Sequence, residues 1–252
     1  MNAKTKSGVH SPFVYDLVTQ VLEDKTEYPE YAAIEKLRLS LLNNKLVTEV
    51  EDFGAGATER GSTYERKVSE IAAKAAKPAK WGKLLYRLCR RFQPQHMIEL
   101  GTSLGISSAY QAAGASSEGK TPEFHTLEGS ANLVELSQIN LKDLGYSWVN
   151  AVQGNFDETL QPLLDQMEKV DYAFIDGNHR KEPTLRYFEQ LLPKCHNGTL
   201  LIFDDIYWSK DMSEAWEEIK AHPRVTVSVD LFYLGLVFLR EEQAEEHFVI
   251  RF

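Results

Sequence analysis

The chain has 252 residues, 43% of them apolar and 26% charged, a globular composition with enough length to bury a sizeable core. Lys and Arg total 28 against 37 Asp and Glu, giving −9 at pH 7, which argues against global attraction to nucleic acid or an anionic membrane. No window approaches the roughly 18 apolar residues of a membrane span, no apolar run follows the N-terminal lysines, and Cys89 and Cys195 lack metal-ligand spacing, so a soluble, reduced, cytoplasmic chain without structural zinc is expected.

Taken in chain order, the first ninety or so residues read as helices. Phe13, Leu17, Val18, Val21 and Leu22 recur at helical spacing, with Ser11 as N-cap and Pro12 at the first helical position. A second helix is expected from about 30 to 42. The glycine-rich stretch around Asp52-Phe53-Gly54-Ala55-Gly56 reads as a loop after a short extended or helical piece. Two helices then flank Pro78. The second puts Trp81, Leu84, Leu85, Leu88 and Phe92 on one face, with Lys80, Lys83, Arg87 and Arg90 opposite as a solvated face.

From residue 96 short apolar runs alternate with helical stretches, the pattern of a parallel sheet covered by helices on both faces. The runs HMIEL, EFHTLE, WVNAVQ, VDYAFID and GTLLIFDD give five strands in order, with helices near 105–114, 131–144, 157–168 and 181–192. After a further helix, SEAWEEIKAH, the runs RVTVSVDLFYL and GLVFLR are joined by a short turn, so that pair must be antiparallel.

Polar residues mark the carboxyl end of each of the first five strands, where ligands bind in open α/β sheets. The first strand runs into Glu99-Leu100-Gly101-Thr102-Ser103-Leu104-Gly105 and directly into a helix, whose free N–H groups and positive dipole suit nucleotide-like or carboxylate ligands. Its E-x-G-x-x-x-G spacing differs from the dinucleotide G-x-G-x-x-G. The second strand ends in Glu128, placed to hold a ribose diol. The third is followed by Gly154-Asn155-Phe156-Asp157, an amide and an aromatic ring that can lie beside a purine. The fourth ends in Asp176-Gly177-Asn178-His179 and the fifth in Asp204-Asp205. Helix capping explains any one of these carboxylates but not the ordered set.

On MIELGTSLG, HTLEGS and the final antiparallel pair, the sequence resembles the class I S-adenosylmethionine-dependent methyltransferases over roughly residues 80–240. The tract from VDYAFIDGNH through GTLLIFDDIYW is similar to catechol-type small-molecule O-methyltransferases and their bacterial relatives. The resemblance implies an α/β Rossmann-like sheet of seven strands, mostly parallel with one reversed near the end. A helical extension over 1–78 would precede a cofactor-binding domain over 79–252. It implies S-adenosylmethionine as cofactor, with Glu99, Gly101, Ser103, Gly105 and Ser107 around its methionine part, Glu128 on the ribose, and Asn155, Phe156 and Asp157 near the adenine. Asp176 lies between cofactor and acceptor.

The catechol-type pattern also implies Mg²⁺ on Asp176, Asp204 and Asp205, all oxygen donors, although Asp205 stands where that pattern has asparagine. His179 stands in place of its lysine base, three residues beyond Asp176, and an imidazole can take a hydroxyl proton at neutral pH. The expected activity is methyl transfer to a small molecule.

Two other readings are kept. Residues 59–95 carry a net +7 against −16 for the remainder, which leaves a nucleic-acid methyltransferase open, although no aromatic interleaving suggests base stacking. A non-catalytic cofactor-binding or interaction protein is the other. The Asp52–Gly56 stretch is rejected as the cofactor loop and expected as a turn of the extension near the active site.

Overall fold

The computed structural model describes residues 10–53 and 61–252; the expected turn at Gly54 to Gly56 lies outside them. Helix α1 (Pro12–Leu17) starts as its sequence dictates, with the Ser11 hydroxyl accepting from the Val14 N–H at 3.4 Å and Pro12 in the first turn, and it continues as a π-helical turn, Val18–Leu22. Helix α2 (Pro29–Leu42) follows. The extension is not wholly helical, which corrects the expectation for that segment. Strands β1 (Val47–Asp52) and β2 (Ser62–Lys67) pair antiparallel, Val47 opposite Lys67 and Asp52 opposite Ser62. Val50 of β1 is buried with Tyr64 of β2 opposite it, and the remaining, mostly charged or polar positions gain their order from pairing with each other.

Helices α3 (Val68–Ala75) and α4 (Ala79–Phe92) flank Pro78 as expected. The apolar stripe of α4 is buried, and its basic face is only partly solvated: Lys80 and Arg90 are exposed, whereas Lys83 and Arg87 are drawn into the protein. Lys83 pairs with Glu27 at 2.7 Å, Arg87 is buried and donates to the Val21 carbonyl at 2.7 Å, and Arg90 lies over the Tyr28 ring. The sequence reading took these cations for solvent contacts because their partners lie far away in the chain.

The remaining elements alternate as their apolar runs require. They are β3 (His96–Leu100), α5 (Ile106–Ala115), β4 (Glu123–Glu128), α6 (Ala131–Asp143), β5 (Asn150–Gln153), α7 (Phe156–Gln166), β6 (Val170–Ile175), α8 (Lys181–Leu191), β7 (Cys195–Asp204), α9 (Lys210–Lys220), β8 (Val227–Asp230), β9 (Leu234–Phe238) and β10 (Glu246–Val249). The main sheet has the order β10-β8-β9-β7-β6-β3-β4-β5. β9 runs antiparallel to both β7 and β8, the reversed strand expected from the short final connection, while β3 to β7 are mutually parallel. Among the described residues the sheet has one strand more than the seven expected. β10 adds parallel to β8, and its four residues sit in a charge-rich tail where no alternation marks a strand.

Successive side chains of a strand face opposite sides of the sheet, and this period sorts the core. Met97, Phe124, Tyr172, Phe174 and Ile202 pack with α4, α5 and the N-terminal helices. Ile98, Leu100, Ala173, Ile175 and Leu201 pack with α7, α8 and α9. Strand β3 has β4 on one side and β6 on the other, so the chain reverses direction across the sheet at β3 and opens a crevice beyond its carboxyl end.

Candidate active site

The crevice is a cavity of about 480 Å³, lined by the strand ends and covered by the extension, a volume in the range of small-molecule and cofactor sites. Gly101 sets its floor. The Gly101 N–H donates to the Leu127 carbonyl and the Asp176 N–H to the Leu100 carbonyl, both at 2.9 Å, stitching three strand ends together. Its φ is +103°, and a Cβ there would stand 2.1 Å from the Asp176 carbonyl oxygen, so only glycine fits. Ser103, Asn178, His179 and Asp205 line the same cavity and also take positive φ; such backbone conformations persist only where the surroundings over-determine them.

Of the residues expected around a cofactor, Gly101, Ser103, Ser107, Glu128, Asn155, Phe156 and Asp176 line this cavity. Glu128 ends β4 with both carboxylate oxygens held by main chain, Oε2 accepting from the Ser103 N–H at 2.8 Å and Oε1 from the Ser130 N–H at 3.0 Å. Burial raises its pKa, against the pull of those N–H groups. Asn155 caps α7, its Oδ1 accepting from the Asp157 N–H, and Phe156 stacks edge-on to Tyr187 against Gly177.

Three of the expected residues are not among those that line the cavity. Glu99 does not line the cavity. It is fully buried and accepts from Ser108, from Gln111 at 2.6 Å and from Thr126 at 2.7 Å, binding α5 to β3 and β4. Gly105, with φ +80°, packs against α6, where a Cβ would stand 3.3 Å from the Ser137 side chain. Asp157 turns to Arg186 at 2.6 Å and to the Tyr187 hydroxyl at 3.0 Å. Local sequence could not separate these residues from their cavity-facing neighbours, because a turn of one residue reverses a side chain's direction.

At the other end of the cavity Asp176, His179 and Asp204 offer oxygen and nitrogen atoms all within 4.8 Å of one another, with His179 Nε2 at 3.6 Å from Asp176 Oδ1. Asp205 lines the cavity without joining that set. The His179 ring lies 5.9 Å from the ring of the exposed Trp208.

The sequence reading passed over Lys77. From the break between α3 and α4 its ammonium reaches Asp176 Oδ2 at 3.2 Å and pairs with Asp204 Oδ2. Burial disfavours the lysine's charge, but Asp176 and Asp204 outweigh this and raise its pKa above the usual range. Burial likewise pushes Asp176 upward, and Lys77, a hydrogen bond with Asp204 and the nearby His179 together more than offset it; Asp204, almost fully enclosed, is pushed well up by burial and by the adjacent Asp176 charge. The available signal was position: Lys77 stands at the helix break before Pro78, off the basic face of α4. Asp52, Phe53, Tyr64 and Arg66 of the β1–β2 pair also line the cavity, in keeping with the expectation that this stretch lies near the site.

Mg²⁺ takes near-octahedral oxygen ligands at about 2.0–2.1 Å. Asp176, His179 and Asp204 bring their donor atoms close enough together to hold a metal ion, and Asp205 stands outside that set. The Lys77 ammonium lies on one oxygen of each carboxylate, so a divalent ion between those two oxygens would have to displace it.

Residues 98–206 match a family model described as a methyltransferase domain. Among curated proteins the chain is similar to catechol O-methyltransferase of Mycobacterium tuberculosis, 26% identical over 133 residues covering 51% of this chain and 56% of that one. It is also similar to catechol O-methyltransferase of Niastella koreensis, 29% identical over 127 residues covering 50% and 55%. The chain spans about half the length of these curated relatives. An O-methyltransferase from Bacillus cereus, solved with S-adenosylhomocysteine, superposes with a TM-score of 0.59 at 20% identity, covering 90% of this chain and 97% of that one. A Podospora anserina methyltransferase, also solved with S-adenosylhomocysteine, gives 0.63 at 13% identity, covering 96% and 100%.

Proposed function

We propose that this chain, which has the class I S-adenosylmethionine-dependent methyltransferase fold and is related in sequence to catechol O-methyltransferases, transfers a methyl group from S-adenosylmethionine to a hydroxyl oxygen of a small molecule. The observation that carries this reading is the convergence of Glu128, Asn155, Phe156, Asp176 and His179, from three different strand ends, on one cavity of cofactor size. When bound, the cofactor supplies an electrophilic methyl on a sulfonium. In this reading Gly101, Ser103 and Ser107 bound the methionine part, Glu128 accepts from the ribose hydroxyls, and Asn155 and Phe156 flank the adenine.

His179 takes the acceptor's hydroxyl proton at an imidazole nitrogen as the oxygen–methyl bond forms and the sulfur–methyl bond breaks. Asp176 orients the ring and balances the imidazolium. Orientation of acceptor oxygen and methyl in line is the protein's main contribution. A small acceptor suits a cavity of this size, and the inward engagement of Lys83 and Arg87 weakens the case for a nucleic-acid substrate. Residues 79–252 form the catalytic unit in this reading and 1–78 the extension that covers it. No described helix is long and apolar enough to cross a membrane. The two free, buried cysteines suit a reducing cytoplasm.

The test is transfer of labelled methyl from S-adenosylmethionine to a panel of phenols, catechols, aliphatic alcohols and amines. We expect methylation of at least one hydroxylated acceptor, and in His179→Ala a kcat lower by roughly a hundredfold with S-adenosylhomocysteine affinity unchanged. Cofactor binding without transfer to any acceptor would instead support a non-catalytic binding protein.

A further inference from the structure

We infer that Lys77 is the resident cation of this site: its ammonium holds the position a divalent ion would take between Asp176 and Asp204, excludes that ion, and offers an N–H to the acceptor oxygen. The inference rests on the methyl-transfer reading for the acceptor and on geometry alone for the cation.

Lys77 Nζ touches both carboxylates, Asp176 Oδ2 at 3.2 Å and Asp204 Oδ2 more closely. Its side chain is 13% exposed, and that of Asp204 is 2% exposed. Two carboxylates this close in a poorly solvated cleft repel one another unless a proton or a cation neutralises one of them. The protein supplies that cation from its own chain, 127 positions away from Asp204. The ammonium lies 5.9 Å from the centre of the Phe174 ring, whose π face adds to its stabilisation.

A divalent ion coordinated by the same carboxylate oxygens would lie within a few ångströms of the ammonium. At about 4 Å and an effective dielectric constant near 20, repulsion between two unit charges is already about 4 kcal/mol, and a divalent ion doubles it. The ion could enter only by displacing Lys77 from a buried pairing. An ammonium has three donors; two face Asp176 and Asp204, and Lys77 itself lines the cavity, leaving one for an oxygen placed there. Pro78 and the start of α4 directly after Lys77 fix its backbone, because proline restricts the residue before it to extended conformations.

The experiment titrates Mn²⁺ into the full chain and follows water-proton relaxation, with S-adenosylhomocysteine binding measured calorimetrically in parallel. We expect wild type to bind Mn²⁺ no more tightly than about 1 mM, and Lys77→Met to bind it at least about a hundredfold more tightly. With the acceptor found in the methyl-transfer panel, wild-type turnover is expected to survive chelation. Lys77→Met is expected to raise KM for that acceptor while leaving S-adenosylhomocysteine affinity unchanged.

Stoichiometric Mn²⁺ binding by wild type at micromolar concentration would overturn the inference, as would Lys77→Met binding no better than wild type. The wild-type titration decides even if Lys77→Met fails to fold, and Lys77→Arg, which keeps the charge, should continue to exclude the ion. Loss of S-adenosylhomocysteine binding by wild type would strike the methyl-transfer reading and leave the cation result standing.

Discussion

Glu99 shows how a single residue at a strand end can carry structure where its neighbours carry the site. Burial pushes its carboxyl up to about 7, against hydrogen bonds from Ser107, Ser108, Thr126 and Gln111. The folded chain therefore holds this proton to higher pH than the unfolded chain does. Its stabilising contribution is complete below the ordinary value of 4.5 and is lost as pH rises to about 7, an effect of about 3 kcal/mol. Urea midpoints at pH 5 and pH 8 should thus differ in wild type in favour of pH 5, and Glu99→Gln should remove that part of the difference. Glu128, at the end of the neighbouring strand β4, tests the cavity side. Loss of two charge-assisted hydrogen bonds to a diol, each worth about 1.5–3 kcal/mol, should weaken S-adenosylmethionine binding by Glu128→Ala at least about tenfold; calorimetric titration gives the value, and an unchanged affinity would remove Glu128 from the ribose. Both carboxylates were legible as strand-end acids, but which one faces the cavity depends on tertiary packing around α5, and the spacing E-x-G-x-x-x-G does not encode it.

The helices α4 and α5 show the corresponding lesson for elements. Gly82 of α4 leaves room for the Tyr110 ring of α5, since a Cβ there would stand 2.4 Å from it, and Gly114 of α5 leaves room for the Tyr86 carbonyl, which a Cβ would meet at 2.2 Å. This reciprocal contact seats α5, whose first turn forms the wall of the cavity at Ile106 and Ser107. Gly114→Ala should cost about 1–3 kcal/mol through overpacking, read as a lowered Tm, and should also weaken cofactor binding if the α5 start shifts. The helical and strand runs from residue 96 onward were plain in the sequence because each buries an apolar stripe of fixed period. The β1–β2 pair was not, because its strands are mostly polar and find their order largely in each other and in contacts such as that of the Asn132 side-chain amide with the Glu49 carbonyl at 3.0 Å.

At the scale of the whole molecule, part of the basic stretch folds inward. Lys83 meets Glu27, Arg87 the Val21 carbonyl and Lys77 the acidic strand ends, while Lys67, Lys74, Lys80, Arg90 and Arg91 stay exposed. Part of the charge asymmetry is thus an internal complement between the extension and the acidic remainder. Sequence composition exposes such an imbalance but not its direction, because Lys77 and Asp204 become neighbours only when the sheet has formed. The central claim is that the crevice at the carboxyl end of β3 is a site for S-adenosylmethionine, and equilibrium calorimetric titration of S-adenosylhomocysteine and NAD into the full chain tests it most directly. Saturable one-to-one binding of S-adenosylhomocysteine with no heat from NAD is the predicted result; absence of S-adenosylhomocysteine binding, or tight binding of NAD in its place, would contradict the account.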